Sequence, residues 1–200
     1  MLKRTHTCGE LNKSNVGYEV QLNGWINTIR LHGKVVFVDL RDRYGKIQLV
    51  FNENIFRDDF EKIKKFSVED VISINGFVDN RSNESINTAM KTGEIEVRIS
   101  TYIILNEAAP LPFVLTDRNS AEEHFRLKYR YLELRIDELQ QNIITRHKTY
   151  QATRKYLSKN KFLEIETPFL MKSTPEGARD YLVPSRLHRG KFYALPQAPQ

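Results

Sequence analysis

The sequence predicts an α+β protein whose N-terminal half is a small five-stranded β-barrel and whose C-terminal third opens on a long helix. Three observations carry this. Apolar and polar residues alternate at period two in five runs before residue 106, and a stretch of helical spacing interrupts them after the third run. Pro110 and Pro112 bar a continuous helix in the segment that follows, so it reads as a hinge. Beyond it, residues 137–160 place Leu139, Ile143, Tyr150 and Leu157 on one helical stripe.

The elements follow in order. Residues 17–30 alternate Val20, Leu22 and then Trp25 with polar partners. A break at His32-Gly33 leads to 33–43, with Val36, Val38 and Leu40 on one face. Arg43-Tyr44-Gly45 is a turn signal, and 46–52 is the third strand. Residues 54–66 have Ile55, Phe56, Phe60 and Ile63 at helical spacing, and 71–81 and 93–105 return to the strand pattern. Three strands, a helix and two strands suit a five-stranded OB barrel. Mixed α+β sheets share this order, so the pattern leaves both arrangements open. Residues 126–135 read as a short charged helix. Asp137 is placed to cap the long helix, and Asn160 to end it in a left-handed conformation.

Composition narrows the function classes. Hydrophobic residues are 40% and charged residues 28% of 200, an ordinary globular balance. Apolar runs are too short to span a bilayer, and the first residues lack the apolar stretch of a secretory signal, so a cytoplasmic protein with no membrane partner is expected. Cys8 is the one cysteine, which excludes an internal disulfide. The histidines at 6, 32, 124, 147 and 188 lack metal-ligand spacing, so no metal site is expected. The net charge of +6 is compatible with a nucleic-acid partner.

OB barrels bind oligonucleotides on the face of their second and third strands. Here that region offers Arg30, His32, Lys34, Phe37, Arg41, Arg43 and Gln48. Phe37 should face away from Val36 and Val38, where its ring would stack an unpaired base while Arg30 and Gln48 read base edges. Glu96, alternating with Ile95 and Val97, would accept from an exocyclic amine. The bland alternative makes Phe37 a core residue and the charges solvated edge groups. In the C-terminal third, Pro168 marks a strand edge or end, and 174–177 is a turn whose Glu176 is by itself an ordinary solvated carboxylate.

Specific blocks add more. FLEIETPFL resembles motif 1 of class II aminoacyl-tRNA synthetases, and STPEGARDYLVPSRLHRGKFYALPQAPQ (173–200) is similar to the bacterial-type aspartyl branch of that family. THTCGEL, NGWINTIR, FVDLRDRYGKIQLVF, NTAMKTGEIEV and RLKYRYLELR resemble further blocks in the same order, so the likeness covers the whole chain. It implies an OB anticodon-binding domain over 1–105, a hinge over 106–135, and over 136–200 the beginning of an antiparallel-sheet catalytic domain. It also implies an aspartate–tRNA ligase that activates aspartate with ATP and Mg²⁺ and charges tRNA(Asp), with tRNA(Asn) as a second substrate.

By the same resemblance, Arg30, Phe37, Gln48 and Glu96 match anticodon contacts, and Pro168 belongs to a homodimer interface. Glu176 matches the carboxylate that holds the substrate ammonium group. Ser173, Thr174, Pro175 and Gly177 belong to a lid over the amino acid, and Gln200 begins the aspartate-contacting segment. His32 matches a position where histidine accompanies charging of both the Asp and Asn tRNAs. The second position tied to that choice falls near Glu84, which is not the usual small residue. Ala198 replaces a frequent serine, and Asn27-Thr28-Ile29 replace arginines ahead of Arg30. The family's motifs 2 and 3, with their phosphate-binding arginines, are absent from these 200 residues, so the chain alone is expected not to form the adenylate. A non-catalytic OB-fold RNA-binding module is the competing reading, and a dimerisation fragment without RNA binding a third.

Overall fold

The computed structural model describes residues 3–115, 117, 120–173 and 179–195, which form two compact units, 1–112 and 113–200. In the first, β1 (Glu19–His32), β2 (Val35–Asp42), β3 (Gly45–Asn52), β4 (Val71–Asn80) and β5 (Ile95–Asn106) close into a barrel in the order β1-β2-β3-β5-β4. All neighbours are antiparallel except β3 and β5, which pair in parallel at Leu49↔Val97 and Val50↔Arg98.

One strand serves two neighbours. Residues Glu19–Trp25 of β1 pair with β4, and Trp25–His32 pair with β2. The chain manages this with a register shift between Ile26 and Thr28, a bulge that bends the strand. Gly24 lies just before it, where an added Cβ would sit 2.5 Å from the Arg41 carbonyl oxygen, so only glycine admits that approach. Gly33, at φ +56, makes the tight turn into β2.

Alternate positions fill the barrel: Val20, Leu22 and Ile26 from β1, Val36, Val38 and Leu40 from β2, Ile47, Leu49 and Phe51 from β3 are all essentially inaccessible. Each such side chain contributes about 1.5–3 kcal/mol by burial. Trp25 departs from the expected alternation: it lies on the other face, with the Arg41 guanidinium 5.9 Å from its ring centroid. Phe51, Phe56, Phe66 and Tyr102 close one end of the barrel with ring centroids 5.5 to 5.8 Å apart. The stretch expected to be helical over 54–66 forms only α1 (Phe60–Ile63), because Asn52 folds back on the chain that follows. Its side chain accepts from the Asn54 N–H, and its carbonyl accepts from Ile55 and Phe56, holding that segment in turns. The N-terminal segment packs on the β2–β3 turn through Cys8, which is buried and donates its N–H to Asp42 at 2.9 Å.

In the second unit the charged helix expected over 126–135 is broken at Tyr129 into α2 (Glu123–Lys128) and α3 (Arg130–Glu133). Arg126 and Arg130 both bind the buried Glu133 carboxylate. Burial pushes that carboxyl up, but the two arginine hydrogen bonds outweigh it and hold it below the usual range. The long helix α4 (Asp137–Lys159) begins without a side-chain cap, Ile136 holding the cap position and Asp137 the first turn. Its end is set by Lys161, not Asn160: Lys161 has φ 68, and the Phe162 and Lys161 N–H groups donate to the carbonyls of Leu157 and Ser158. The strand that Pro168 was expected to edge or end does not form ahead of it. Residues 162–168 have no ladder partner among the described residues, and sheet pairing begins with the Met171–Ala194 bridge beside the hairpin of β6 (Tyr181–Pro184) and β7 (Phe192–Leu195).

Among the described residues two non-glycines have positive φ, Glu69 at 72° and Lys161 at 68°, and glycine should affect them oppositely. At exposed Lys161 nothing but backbone conformation is at stake, so Lys161→Gly stabilises by about 1 kcal/mol. Glu69 makes a 2.6 Å ion pair with buried Arg41, so Glu69→Gly destabilises by about 2–4 kcal/mol despite the relaxed backbone. Urea titration of both variants checks the signs, and a stabilised Glu69→Gly would contradict this account.

Candidate nucleic-acid interface

On the outer face of the barrel, β1, β2, β3 and β5 bring together a connected polar set. Cross-strand register accounts for its placement: Thr28 lies opposite Asp39, Arg30 opposite Phe37, and Asp39 opposite Gln48. The parallel pair Leu49↔Val97 puts Glu96 beside Gln48. Asp39 accepts from the Thr28 hydroxyl at 2.5 Å and from both terminal nitrogens of Arg30, at 2.9 and 3.2 Å. Arg30 Nη2 also donates to Gln48 Oε1 at 3.0 Å, and Gln48 Nε2 donates to Glu96 Oε2 at 2.8 Å. Three of the four residues singled out as base contacts, Arg30, Gln48 and Glu96, therefore form one chain of hydrogen bonds.

The fourth, Phe37, is half-buried on that face while Val36 and Val38 are at 0% exposure. Its ring is thus partly open to solvent beside the polar set. Burial pushes the Glu96 carboxyl above the usual carboxylate range, and the Gln48 hydrogen bond and the Arg81 charge only partly counter it.

Arg81 is a member that sequence reading missed. It follows β4 and is 7% exposed; its Nε donates to the Ile95 carbonyl at 2.9 Å, while its buried Nη2 has no hydrogen-bond partner among the described residues. Burial lowers its pKa, and the charges of Glu96, Asp39 and Arg30 all act on it, which locates it at the same cluster. The available signal was an arginine closing an apolar strand run at 71–81, just ahead of a polar loop. Such a face offers a cationic donor without an acceptor, an amide, a carboxylate and an aromatic ring, the groups that read and stack an unpaired base.

The remaining sequence candidates lie elsewhere. His32 ends β1, exposed and opposite Val35, and Glu84 is exposed in a single 3₁₀ turn, Asn83–Ser85; neither joins the hydrogen-bonded set. In the second unit Ser173 donates to Asp180 at 2.9 Å, and Pro168 is exposed. Thr174, Pro175, Glu176 and Gly177, with Ala198 and Gln200, lie outside the described residues. Among the described residues no group of three or more His, Cys, Asp or Glu could hold a metal ion, and no helix is long and apolar enough to cross a membrane.

Comparison with known proteins extends the picture. Residues 20–105 match the model for the OB-fold nucleic acid binding domain, and residues 122–200 match tRNA synthetases class II (D, K and N). The chain is 52% identical over 199 residues to the aspartate–tRNA(Asp/Asn) ligase of Caldanaerobacter subterraneus subsp. tengcongensis. It is 50% identical over 200 residues to the aspartate–tRNA ligase of Halalkalibacterium halodurans. Each alignment covers 100% of this chain but 34% of the relative, so the chain spans about a third of their length. Among solved structures, asparaginyl-tRNA synthetase from Pyrococcus horikoshii with asparaginyl-adenylate superposes at a TM-score of 0.82 with 24% identity, over 100% of this chain and 44% of that one. A likeness of that identity speaks to the fold alone. With an OB barrel ahead of a synthetase segment and half of its residues shared along its whole length with these relatives, the chain belongs to the class II aminoacyl-tRNA synthetases of the aspartate, lysine and asparagine group.

Proposed function

We propose that this chain is the anticodon-binding and dimer-forming portion of an aspartate–tRNA ligase that charges tRNA(Asp) and tRNA(Asn). The observation that carries the reading is the Arg30–Gln48–Glu96 chain of hydrogen bonds beside Phe37, on a barrel half identical to ligases with that printed specificity. In this reading an anticodon base unstacks and lies on the Phe37 ring. Gln48 and Arg30 meet its edge, and Glu96 accepts from an exocyclic amine. Because the polar groups already hold one another in place, little side-chain ordering remains to be done on binding. His32, at the rim of the same barrel, is proposed to admit both tRNAs, with Glu84 in the second loop concerned.

For the second unit we propose a homodimer contact through α4 and the run around Pro168. Ile143, Tyr150, Leu157, Phe162, Leu163 and Phe169 are 41 to 86% exposed, and a groove of about 360 Å³ lies between α4 and residues 162–164. Apolar exposure of that kind marks a surface that another protein covers. Glu176 and Gln200 are proposed to hold aspartate, under a lid formed by Ser173, Thr174, Pro175 and Gly177. ATP is proposed as the co-substrate, and Mg²⁺ as the cofactor, of the whole ligase.

Filter binding to an anticodon stem-loop carrying GUC tests the interface. Phe37→Ala and Gln48→Ala should each weaken binding by about 1–3 kcal/mol, with affinity falling linearly on a log–log salt plot. Unchanged affinity in both variants excludes the assignment. His32→Leu should reduce binding of tRNA(Asn) more than of tRNA(Asp), and equal losses would remove its role in selection.

Glu96 supplies a pH signature. Its raised pKa means that it loses charge at a higher pH than an ordinary glutamate, so affinity should begin to fall while other carboxylates are still ionised. The same shift makes the ionised form unfavourable to folding: stability is greatest below the unfolded pKa and declines as pH rises through the folded one. Glu96→Gln should therefore melt higher than wild type at neutral pH, abolish the acid-side loss of affinity, and bind more weakly. A variant that melts lower at neutral pH would reverse the sign argued here.

A further inference from the structure

The interface contains a buried carboxylate, Asp39, that is not itself one of the base contacts. Asp39 is 7% exposed on the outer face of β2. A buried charge persists when it is paired, and Asp39 has three donors, the Thr28 hydroxyl and both terminal nitrogens of Arg30. We propose that Asp39 is a positioning residue for base recognition, fixing the Arg30 fork and through it the orientation of the Gln48 amide. This rests on the reading of Arg30 and Gln48 as base contacts.

Each link has a physical reason. A carboxylate that accepts from both ends of a guanidinium sets its plane as well as its position. The Arg30 side chain is 51% exposed, so without Asp39 it regains the rotamer freedom of a surface arginine. Held as it is, Arg30 points Nη2 at one end of Gln48, while the Glu96 carboxylate faces the other. A donor on one side and an acceptor on the other allow a single amide orientation, Oε1 to Arg30 and Nε2 to Glu96. The flipped amide would set NH₂ against guanidinium and oxygen against carboxylate. An amide distinguishes bases by the order of its acceptor and donor, so a free amide tolerates more than one base. Thr28 completes the arrangement: the bulge after Ile26 brings it opposite Asp39, where its hydroxyl holds the carboxylate.

The test compares the chain with Asp39→Asn, Gln48→Ala and the double variant, measuring dissociation constants for the GUC stem-loop and for three loops with one anticodon base changed. Asp39→Asn should reduce the preference for GUC over the changed loops by roughly tenfold. The double variant should discriminate no worse than Gln48→Ala alone, because Asp39 acts through Gln48. Equal weakening toward all four loops, or losses that add in the double variant, overturns the proposal in favour of a purely structural role. If Gln48→Ala leaves the preference unchanged, the reading of the interface fails and the proposal falls with it. Should Asp39→Asn not fold, Thr28→Val reports the same preference, with an expected drop of about threefold; no drop overturns the proposal.

Discussion

Closure of the barrel depends on β1 serving two neighbours at once, and the outer face follows from how it does so. A strand that pairs with β4 at one end and β2 at the other has to bend. The bend is made by the Gly24 approach and the bulge between Ile26 and Thr28. Side-chain period in a strand is two, so one extra residue exchanges inside and outside for everything that follows. Ahead of the bulge Ile26 faces inward; past it Thr28 and Arg30 face outward onto Asp39. The polar set of the candidate interface is thus a geometric consequence of closing the sheet.

That set is costly to keep. Asp39 and Gln48 are 7% and 6% exposed on a face that is nominally outside, because Arg30 lies over them. Buried ions rarely improve on well-packed apolar groups, and breaking one member leaves the others unpaired. The unpartnered Nη2 of Arg81 and the raised pKa of Glu96 show where the balance is incomplete. Sites that bind ligands often hold such unmet groups, since the ligand supplies what the protein does not.

Much of the barrel was legible in the sequence because period-two alternation reports burial directly. Its five strands lie at the expected places, and Phe37 faces as its neighbours required. The misses have local causes. Trp25 matched the apolar alphabet but not the apolar face, since its partner is the Arg41 guanidinium. Helical spacing at 54–66 was overridden by Asn52 hydrogen bonds, which a hydrophobic pattern does not register. Residues 162–168 have strand composition but no ladder partner among the described residues. Arg81 and Asp39 were invisible for another reason: a charged residue in a strand usually faces water, and only the fold shows that these two do not. Family resemblance supplied expectations that periodicity could not, namely Glu176 and a lid of which only Ser173 lies among the described residues.

Cys8 is at 0% exposure where the N-terminal segment meets the β2–β3 turn. Burial, reinforced by the neighbouring Asp42 charge, holds its thiol protonated far above neutral pH, so alkylating reagents meet no thiolate while the segment is seated. Modification must wait for the seam to open. The sole cysteine of the sequence is therefore a built-in clock for that opening, whose alkylation rate reports how often the segment around Cys8 leaves the barrel.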